Sequence, residues 1–217
     1  MGYGIMLDVE GPYALFSRPE MKVERVSYNI ITPSAARGII ESIYWKPAIK
    51  WIIDKIYVCS KICFTNIRRN EVSSKILASN AKALIDGKKN IDYIDTTSDR
   101  QQRASTILKD VHYVIEAHFE MTDKAGEEDT PEKHYNMALR RIRKGQCYHT
   151  PCFGCREFPV KFKLAEEVPK TAYEGEVDMG YMLYDMDFSD PENVQPVFFR
   201  ATMRDGIIDL RNVEFVR

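Results

Sequence analysis

The alternation of apolar and polar positions is clearest between Val111 and Phe119, where every second residue is apolar or aromatic. A period of two is typical of a strand that buries one face. A looser alternation at the N-terminus, over Tyr3–Val9, predicts a first strand that ends in a turn at residues 10–12, Glu-Gly-Pro. Residues 50–64 are rich in β-branched and aromatic side chains and predict one long strand.

Two helices are predicted where a threonine directly precedes a proline. Thr32 and Thr130 are of a residue type that caps helices, and the proline after each would occupy the one helical position that tolerates it. Apolar residues then recur at helical spacing, to about Trp45 in the first case and to Gly145 in the second. Both segments therefore predict amphipathic helices.

Residues 66–107 have weak periodicity and many polar side chains, and we interpret them as an inserted, mobile loop region with one short helix over 73–84. A further strand is expected over 157–164. The order of elements is then β, α, β, insertion, β, α, β, which is that of a ferredoxin-like (RRM-like) βαββαβ domain.

The remainder of the chain, 164–217, contains short aromatic runs and an Asp-Gly hairpin signal at 205–206. It predicts a small antiparallel β appendage. The expected fold class is α+β, with a ferredoxin-like domain over 1–163 and a small β-rich C-terminal subdomain over 164–217.

Composition places the chain among globular proteins, since 44% of its residues are hydrophobic and 29% are charged. No run approaches the ~20 apolar residues of a membrane-spanning helix, and the N-terminus lacks the pattern of a signal peptide. We expect a cytoplasmic protein without a membrane partner.

The net charge of -1 hides a strong asymmetry. Residues 1–163 hold 26 Lys and Arg against 20 Asp and Glu, a net of +6, whereas residues 164–217 hold 5 against 12, a net of -7. Within the first part, 131–163 carries eight cations against two anions. Such a cluster is typical of a surface that binds a polyanion, or else it is the solvated face of a helix.

The cysteines permit a metal or redox hypothesis. Cys147, Cys152 and Cys155 lie near His149, but they supply one close pair where a structural zinc site usually has two. The count of five is odd, so a disulfide framework is not expected. We favour small, buried, reduced thiols, and expect no metal and no cofactor.

No dinucleotide, P-loop, α/β-hydrolase or zincin motif is present, so two other groups are the candidates for chemistry. Lys133 and His134 follow the second cap, in what we expect to be an exposed first helical turn. A helix N-terminus with an ammonium group attracts phosphate, and an imidazole transfers protons near neutral pH. Metal-free RNA cleavage needs these functions, although such a pair can also be surface decoration.

The second group is Tyr44-Trp45-Lys46 at the end of the first helix. Its aromatic rings and charge are suited to stacking bases and donating protons. The alternative is that Tyr44 and Trp45 are core aromatics.

Five segments together resemble a known family: GPYALFSRPE, RGIIESIYWKPAIKWIID, ILKDVHYVIEAHFEM, the KHY at 133–135 and FGCREF. In this order they are similar to the type I-C (Dvulg) CRISPR-associated Cas-five family of the RAMP superfamily. The similarity covers most of residues 5–163. It implies a ferredoxin-like domain and a metal-independent endoribonuclease that cuts precursor CRISPR RNA at the repeat hairpin by 2'-hydroxyl transesterification, then stays in the type I-C interference complex.

The family's catalytic Tyr, Lys and His fall on Tyr44, Lys133 and His134. The sequence leaves open which of Tyr44 and His134 is the general base. The long 66–107 region and the short acidic C-terminal part depart from the family pattern.

We expect further residues to bind RNA: Arg37, Trp45, Lys46, Arg140, Arg141, Arg143, Lys144 and Arg156. The alternative function is a non-catalytic RNA-binding subunit that holds the 5' handle of the CRISPR RNA.

Overall fold

The computed structural model describes residues 3–21, 23–88 and 93–216. In these ranges it contains three helices: α1 (Pro33–Ile43), α2 (Ala78–Ile85) and α3 (Pro131–Arg143). It also contains ten strands: β1 (Gly4–Ala14), β2 (Arg25–Val26), β3 (Ile49–Val58), β4 (Cys63–Val72), β5 (Arg100–Met121), β6 (Lys161–Leu164), β7 (Glu176–Asp187), β8 (Gln195–Arg204), β9 (Ile207–Asp209) and β10 (Phe215–Val216). None of the described helices is both long enough and apolar enough to cross a bilayer.

All ten strands belong to one sheet, whose main path is β10-β8-β9-β3-β5-β1-β6. The pairings are antiparallel except that of the two-residue strand β2 with β5. The predicted α+β class is confirmed as a large antiparallel sheet with few helices. The C-terminal strands are antiparallel as expected, and they extend the main sheet because β9 pairs with β3.

Both predicted helix starts are confirmed. The Thr32 hydroxyl accepts the backbone N–H of Ala35 at 3.3 Å, and the Thr130 hydroxyl accepts that of Lys133 at 3.3 Å. These caps satisfy donors that the first helical turn leaves without a partner. At the far end of α3, Gly145 has a φ of +62°, the left-handed conformation that glycine adopts at low cost.

The core lies between one face of the sheet and helices α1 and α3. Strand β5 buries alternate residues as predicted, and α1 buries residues three and four apart. The largest fully buried side chains include Trp51, Phe153, Phe199, Leu7, Ile39 and Ile43. Burial of aliphatic and aromatic side chains on this scale, at roughly 1.5–3 kcal/mol each, holds the helices against the sheet.

The prediction of a mobile loop over 66–107 is wrong for much of that range. Strand β4 pairs with the first half of β5 over ten residues, from Cys63 opposite Lys109 to Val72 opposite Arg100. Most side chains on this ladder are polar or half-exposed, so the apolar alternation that marks a strand is absent. A helix, α2, overlaps the predicted 73–84 region, although it begins later and ends one residue beyond it. Residues 89–92 are outside the described ranges.

The single strand predicted over 50–64 is two strands. β3 and β4 do not pair with each other; both pair with β5, one along each half. Asp110 of β5 has a φ of +53°, and it lies where β5 passes from one partner to the other. Pairing with β5 therefore divides this segment into two strands, although its composition alone predicts one continuous strand.

The first strand runs past its predicted end. β1 continues through Gly11 to Ala14, and Gly11 lies opposite Val111 in the ladder with β5. A Cβ at Gly11 would come within 2.9 Å of the Phe153 ring, so the glycine is required by close packing and not by a turn. The last strand of this group, β6, covers only the second half of the predicted 157–164 segment.

Candidate active site

Tyr44 lies at the C-cap of α1 with an extended backbone. Its backbone N–H donates to the carbonyl oxygen of Ile40 at 2.9 Å, and its own carbonyl oxygen accepts the Trp51 indole N–H at 2.9 Å. These bonds join the end of α1 to strand β3. The Tyr44 ring turns into the protein, where only 2% of the residue is exposed.

His134 and Lys133 lie in the first turn of α3 and face in different directions. The His134 side chain is 2% exposed, whereas that of Lys133 is 48% exposed. The expectation of an exposed first turn is correct for Lys133 and wrong for His134. Helical geometry separates neighbouring side chains by about 100°, so one of the two can face the core while the other faces solvent.

The Tyr44 hydroxyl and His134 Nδ1 share a hydrogen bond of 2.7 Å, across 90 residues of sequence. Burial raises the pKa of the Tyr44 phenol, and the nearby Arg141 guanidinium only partly opposes this effect. The phenol is therefore protonated at neutral pH. When His134 carries its proton on Nε2, the phenol donates to Nδ1 and Nε2–H faces away from Tyr44.

Asp129 is a residue of this site that the sequence analysis missed. Its Oδ1 lies 3.1 Å from His134 Nε2 and 3.7 Å from Lys133 Nζ. Its Oδ2 accepts the backbone N–H of Gly126 at 3.1 Å. This hydrogen bond, and then the charges of His134 and Lys133, hold the pKa of the Asp129 carboxyl below its usual value. The one sequence signal is its position directly before the Thr130 cap.

The contact between Asp129 and His134 has the distance of an ion pair but not the direction of a hydrogen bond. His134 Nε2 has no hydrogen-bond partner among the described residues, and it is fully buried. Lys133 Nζ meanwhile donates to the carbonyl oxygen of Glu128 at 3.1 Å. The site thus combines a buried imidazole, a cation and a carboxylate at the start of α3.

The four cations predicted to bind RNA at the end of α3 do not behave alike. Arg141 donates to the carbonyl oxygen of Ile43 at 2.9 Å, and its guanidinium lies 5.3 Å from the centre of the Tyr44 ring. This arginine is fixed against the end of α1. The other three side chains are exposed and free of carboxylate partners in the described structure: Arg140, Arg143 and Lys144.

The remaining predicted RNA contacts are divided between free and paired groups. Trp45 is 53% exposed, directly after the buried Tyr44, and both Lys46 and Arg156 are exposed. Arg37 is different, because it forms a two-pronged ion pair with Asp185 of β7.

Tyr148 is an exposed aromatic near this site that the sequence analysis did not select. Its backbone N–H donates to the Ser42 carbonyl oxygen at 2.8 Å, and the backbone N–H of His149 donates to the same oxygen at 3.1 Å. The Tyr148 ring is 77% exposed and lies 4.4 Å from the His149 ring. A surface cavity of about 410 Å³ is lined by Arg140, Arg141, Gln146, Cys147 and Tyr148.

The cysteines are all free thiols, but the expectation that they are buried is wrong: Cys59, Cys152 and Cys155 are half-buried, and Cys63 and Cys147 are exposed. Over the part of the chain that the structure describes, no three His, Cys, Asp or Glu side chains are grouped as a metal ion requires. Burial, and then the neighbouring Cys155, raise the pKa of Cys152. A raised pKa disfavours the thiolate form that metal binding and redox chemistry use.

Comparison with known proteins places the chain in a family. The model of the CRISPR-associated protein (Cas_Cas5) family, Cas_Cas5d, matches residues 4–211. The chain belongs to the Cas5d family. Membership agrees with the resemblance carried by the motifs around Tyr44 and His134.

Two curated relatives extend the match over nearly the whole Cas5d chain. One, "CRISPR pre-crRNA endoribonuclease Cas5d" of Mannheimia succiniciproducens, is 50% identical over 97% of this chain and 96% of its own length. Another of the same name, from Thermus thermophilus, is 37% identical over 95% of this chain and 90% of its own. A solved structure, "Crystal Structure of CRISPR-associated Protein", shares the Cas5d fold with a TM-score of 0.69 at 22% identity, over 96% of this chain and 92% of that one.

Proposed function

We propose that the chain is an endoribonuclease that cleaves precursor CRISPR RNA at its repeat hairpin without a metal ion. The observation that carries the proposal is the 2.7 Å hydrogen bond between Tyr44 and His134, with Lys133 beside it at the start of α3. These are the three residues that the family resemblance selects: Tyr44 from one motif, and the adjacent Lys133 and His134 from another. The names of the two curated relatives support the same activity.

In the proposed reaction, the 2'-oxygen of the RNA attacks the adjacent phosphorus and its proton passes to a solvent water. The P–O5' bond breaks, and the 5'-oxygen takes up a proton. The products are a 2',3'-cyclic phosphate and a 5'-hydroxyl. Each step needs proton transfer or charge stabilisation that protein side chains can supply.

We assign His134 as the proton donor to the leaving 5'-oxygen: the imidazolium releases the proton on Nε2 and keeps the proton on Nδ1, which then donates to the Tyr44 hydroxyl oxygen. Nδ1 is occupied by the Tyr44 hydroxyl, so Nε2 is the nitrogen left for the substrate. A negative group next to Nε2, which is Asp129 in the RNA-free protein, favours a proton on that atom. Tyr44 then holds the imidazole in position through Nδ1, and Lys133 stabilises the charge that grows on the phosphorane.

The exposed cations near the site support an RNA-binding role. Arg140, Arg143 and Lys144 follow the catalytic turn along α3, and Trp45 offers an exposed ring for base stacking. We propose that this surface binds the repeat RNA and that the protein then remains in the interference complex with its other subunits.

The four strands β6-β1-β5-β3, with α1 and α3, support a ferredoxin-like core. They are neighbours in this order, they are all antiparallel, and in chain order they are 4-1-3-2. The division at residue 164 stays a prediction. We propose the core as the unit that brings the ends of α1 and α3 together.

The alternative, a non-catalytic RNA-binding subunit, is favoured by one observation: Tyr44 and His134 are both buried, as a structural pair would be. Labelled repeat RNA incubated with the protein in excess EDTA separates the two functions. We expect a single cut with 2',3'-cyclic phosphate and 5'-hydroxyl ends. The matched control carries one 2'-deoxynucleotide at the cut site, and it should stay intact. A cut that needs Mg²⁺, or that occurs in the deoxy substrate, contradicts the mechanism.

A further inference from the structure

The proposed chemistry meets a steric obstacle in this structure. Tyr44 and His134 are each 2% exposed, and His134 Nε2 is wholly buried without a hydrogen-bond partner among the described residues. An RNA phosphate cannot contact that nitrogen unless a group that covers it moves. Buried polar atoms are nearly always paired, so an unpaired one aimed at a helix start points to a missing ligand.

The group next to this nitrogen is the Asp129 carboxylate. Its Oδ1 is within 3.1 Å of His134 Nε2 and 3.7 Å of Lys133 Nζ, so one negative oxygen lies between the two residues to which we assign catalysis. Asp129 belongs to the exposed connection between β5 and α3, which contains turns and no strand or helix. It is therefore the contacting group that can move with least disturbance of the core.

We propose that the Asp129 carboxylate occupies the binding site of the scissile phosphate in the RNA-free protein, and that the phosphodiester displaces it on binding. The inference rests on the proposed function. A phosphodiester carries one negative charge and two unbridged oxygens, so it can replace a carboxylate beside Lys133 and His134 without leaving either unpaired. The exchange keeps an anion next to Nε2, and so keeps the proton there.

The geometry distinguishes this role from that of a carboxylate that orients a catalytic histidine. An orienting carboxylate accepts a well-directed hydrogen bond from the imidazole. Here the direction is not that of a hydrogen bond, and the directed bond of Asp129 is to Gly126 of its own loop. The imidazole is oriented from its other side, by Tyr44.

The two roles predict opposite effects of Asp129→Asn. Asparagine can still accept the Gly126 N–H, but it no longer competes as an anion. We expect the variant to bind repeat RNA with a 2'-deoxynucleotide at the cut site about two- to fivefold more tightly than the wild type. A carboxylate that orients His134 would instead leave this affinity unchanged and lower the single-turnover cleavage rate at saturating RNA.

The matched control is Glu127→Gln, which removes the same charge from an exposed position two residues away. A smaller gain in affinity there supports the proposal, whereas an equal gain shows general charge repulsion and overturns it. Unchanged or weaker binding by Asp129→Asn overturns it as well, as does a fall in saturating cleavage rate with unchanged affinity. Asp129→Ala with thermal melting serves as a second variant should the asparagine protein fold poorly.

The proposed endonuclease function and the proposed role of Asp129 are contradicted by different results. Wild-type protein that binds the repeat but does not cut it contradicts the endonuclease function, while the affinity comparison still decides whether Asp129 holds an anion site. Wild-type protein that cuts normally, with no gain in affinity for Asp129→Asn, leaves the function standing and removes the inference.

Discussion

The hydroxyl of Tyr44 and Nδ1 of His134 lie 2.7 Å apart in the interior, each the hydrogen-bond partner of the other. Tyr44 is the C-cap of α1 and His134 lies in the first turn of α3, so this bond joins the two helices that pack on the sheet. We therefore expect a substitution at either position to affect folding as well as the proposed chemistry. Experiments on this pair need a stability measurement beside each rate.

Tyr44→Phe should destabilise the protein by about 1–3 kcal/mol, because it leaves His134 Nδ1 buried without a partner. Chemical unfolding measures the loss. Combined with His134→Ala, the two losses should be less than additive, since both remove the same bond. Tyr148→Phe, on an exposed ring, is the control and should change stability by less than about 0.5 kcal/mol. Additive losses contradict the coupling.

His134→Gln should lower single-turnover cleavage by roughly 10²–10⁴-fold, the usual contribution of a positioned acid or base. An amide retains hydrogen-bonding capacity next to Tyr44, so folding should be better preserved than in the alanine variant. His112→Gln, on β5 and bonded to Asp8 at 3.0 Å, is the matched control. Near-normal cleavage by a folded His134→Gln protein removes the catalytic assignment.

Lys133→Ala should reduce the cleavage rate far more than RNA affinity, because its charge acts most strongly on the phosphorane. The side chain is half exposed, so stability should change by less than about 1 kcal/mol. Lys144→Ala, at the other end of the same helix, should show the reverse pattern. Equal losses of rate and affinity for Lys133→Ala would mean that it binds RNA without assisting the chemistry.

The arginines of α3 should separate into two classes. Arg140→Ala and Arg143→Ala remove exposed charges, so each should weaken RNA binding and lower the salt slope of log K by about 0.7–1. Arg141→Ala instead removes the hydrogen bond to the Ile43 carbonyl oxygen and the cation over the Tyr44 ring. It should therefore reduce stability and cleavage. Binding titrations at several salt concentrations, with melting curves, distinguish the classes. A uniform effect of all three substitutions contradicts the division.

Arg37→Ala should affect folding more than RNA binding, contrary to the expectation from sequence. Its guanidinium is committed to Asp185, and both side chains are less than a third exposed. Arg37→Ala leaves the partly buried carboxylates of Asp185 and Glu41 without their cation, at a cost of about 1–3 kcal/mol. Asp185→Asn should cost less, because Arg37 keeps its ion pair with Glu41 at 3.5 Å, and the double variant should cost less than the sum. Weaker RNA binding at unchanged stability would contradict this prediction and support an RNA-binding role for Arg37.

The local features were predictable from sequence because they depend on neighbours in the chain. Thr32 and Thr130 cap their helices within three residues, and the alternation over 111–119 reports a strand with one buried face. Lys133 and His134 share one turn, so their proximity needed no knowledge of the fold. The motifs containing Tyr44 and His134 also indicated the family, which the comparisons show.

Tertiary structure alone decided the rest. β4 has a loop-like sequence because its ladder with β5 has little buried surface, and the hydrogen bonds that order it come from a strand some 40 residues away. The contacts of Tyr44 with His134, of Asp129 with His134 and of Arg37 with Asp185 depend on how the helices pack on the sheet. Residue type and spacing specify which groups are available, but packing determines which charges are neutralised and which atoms are buried.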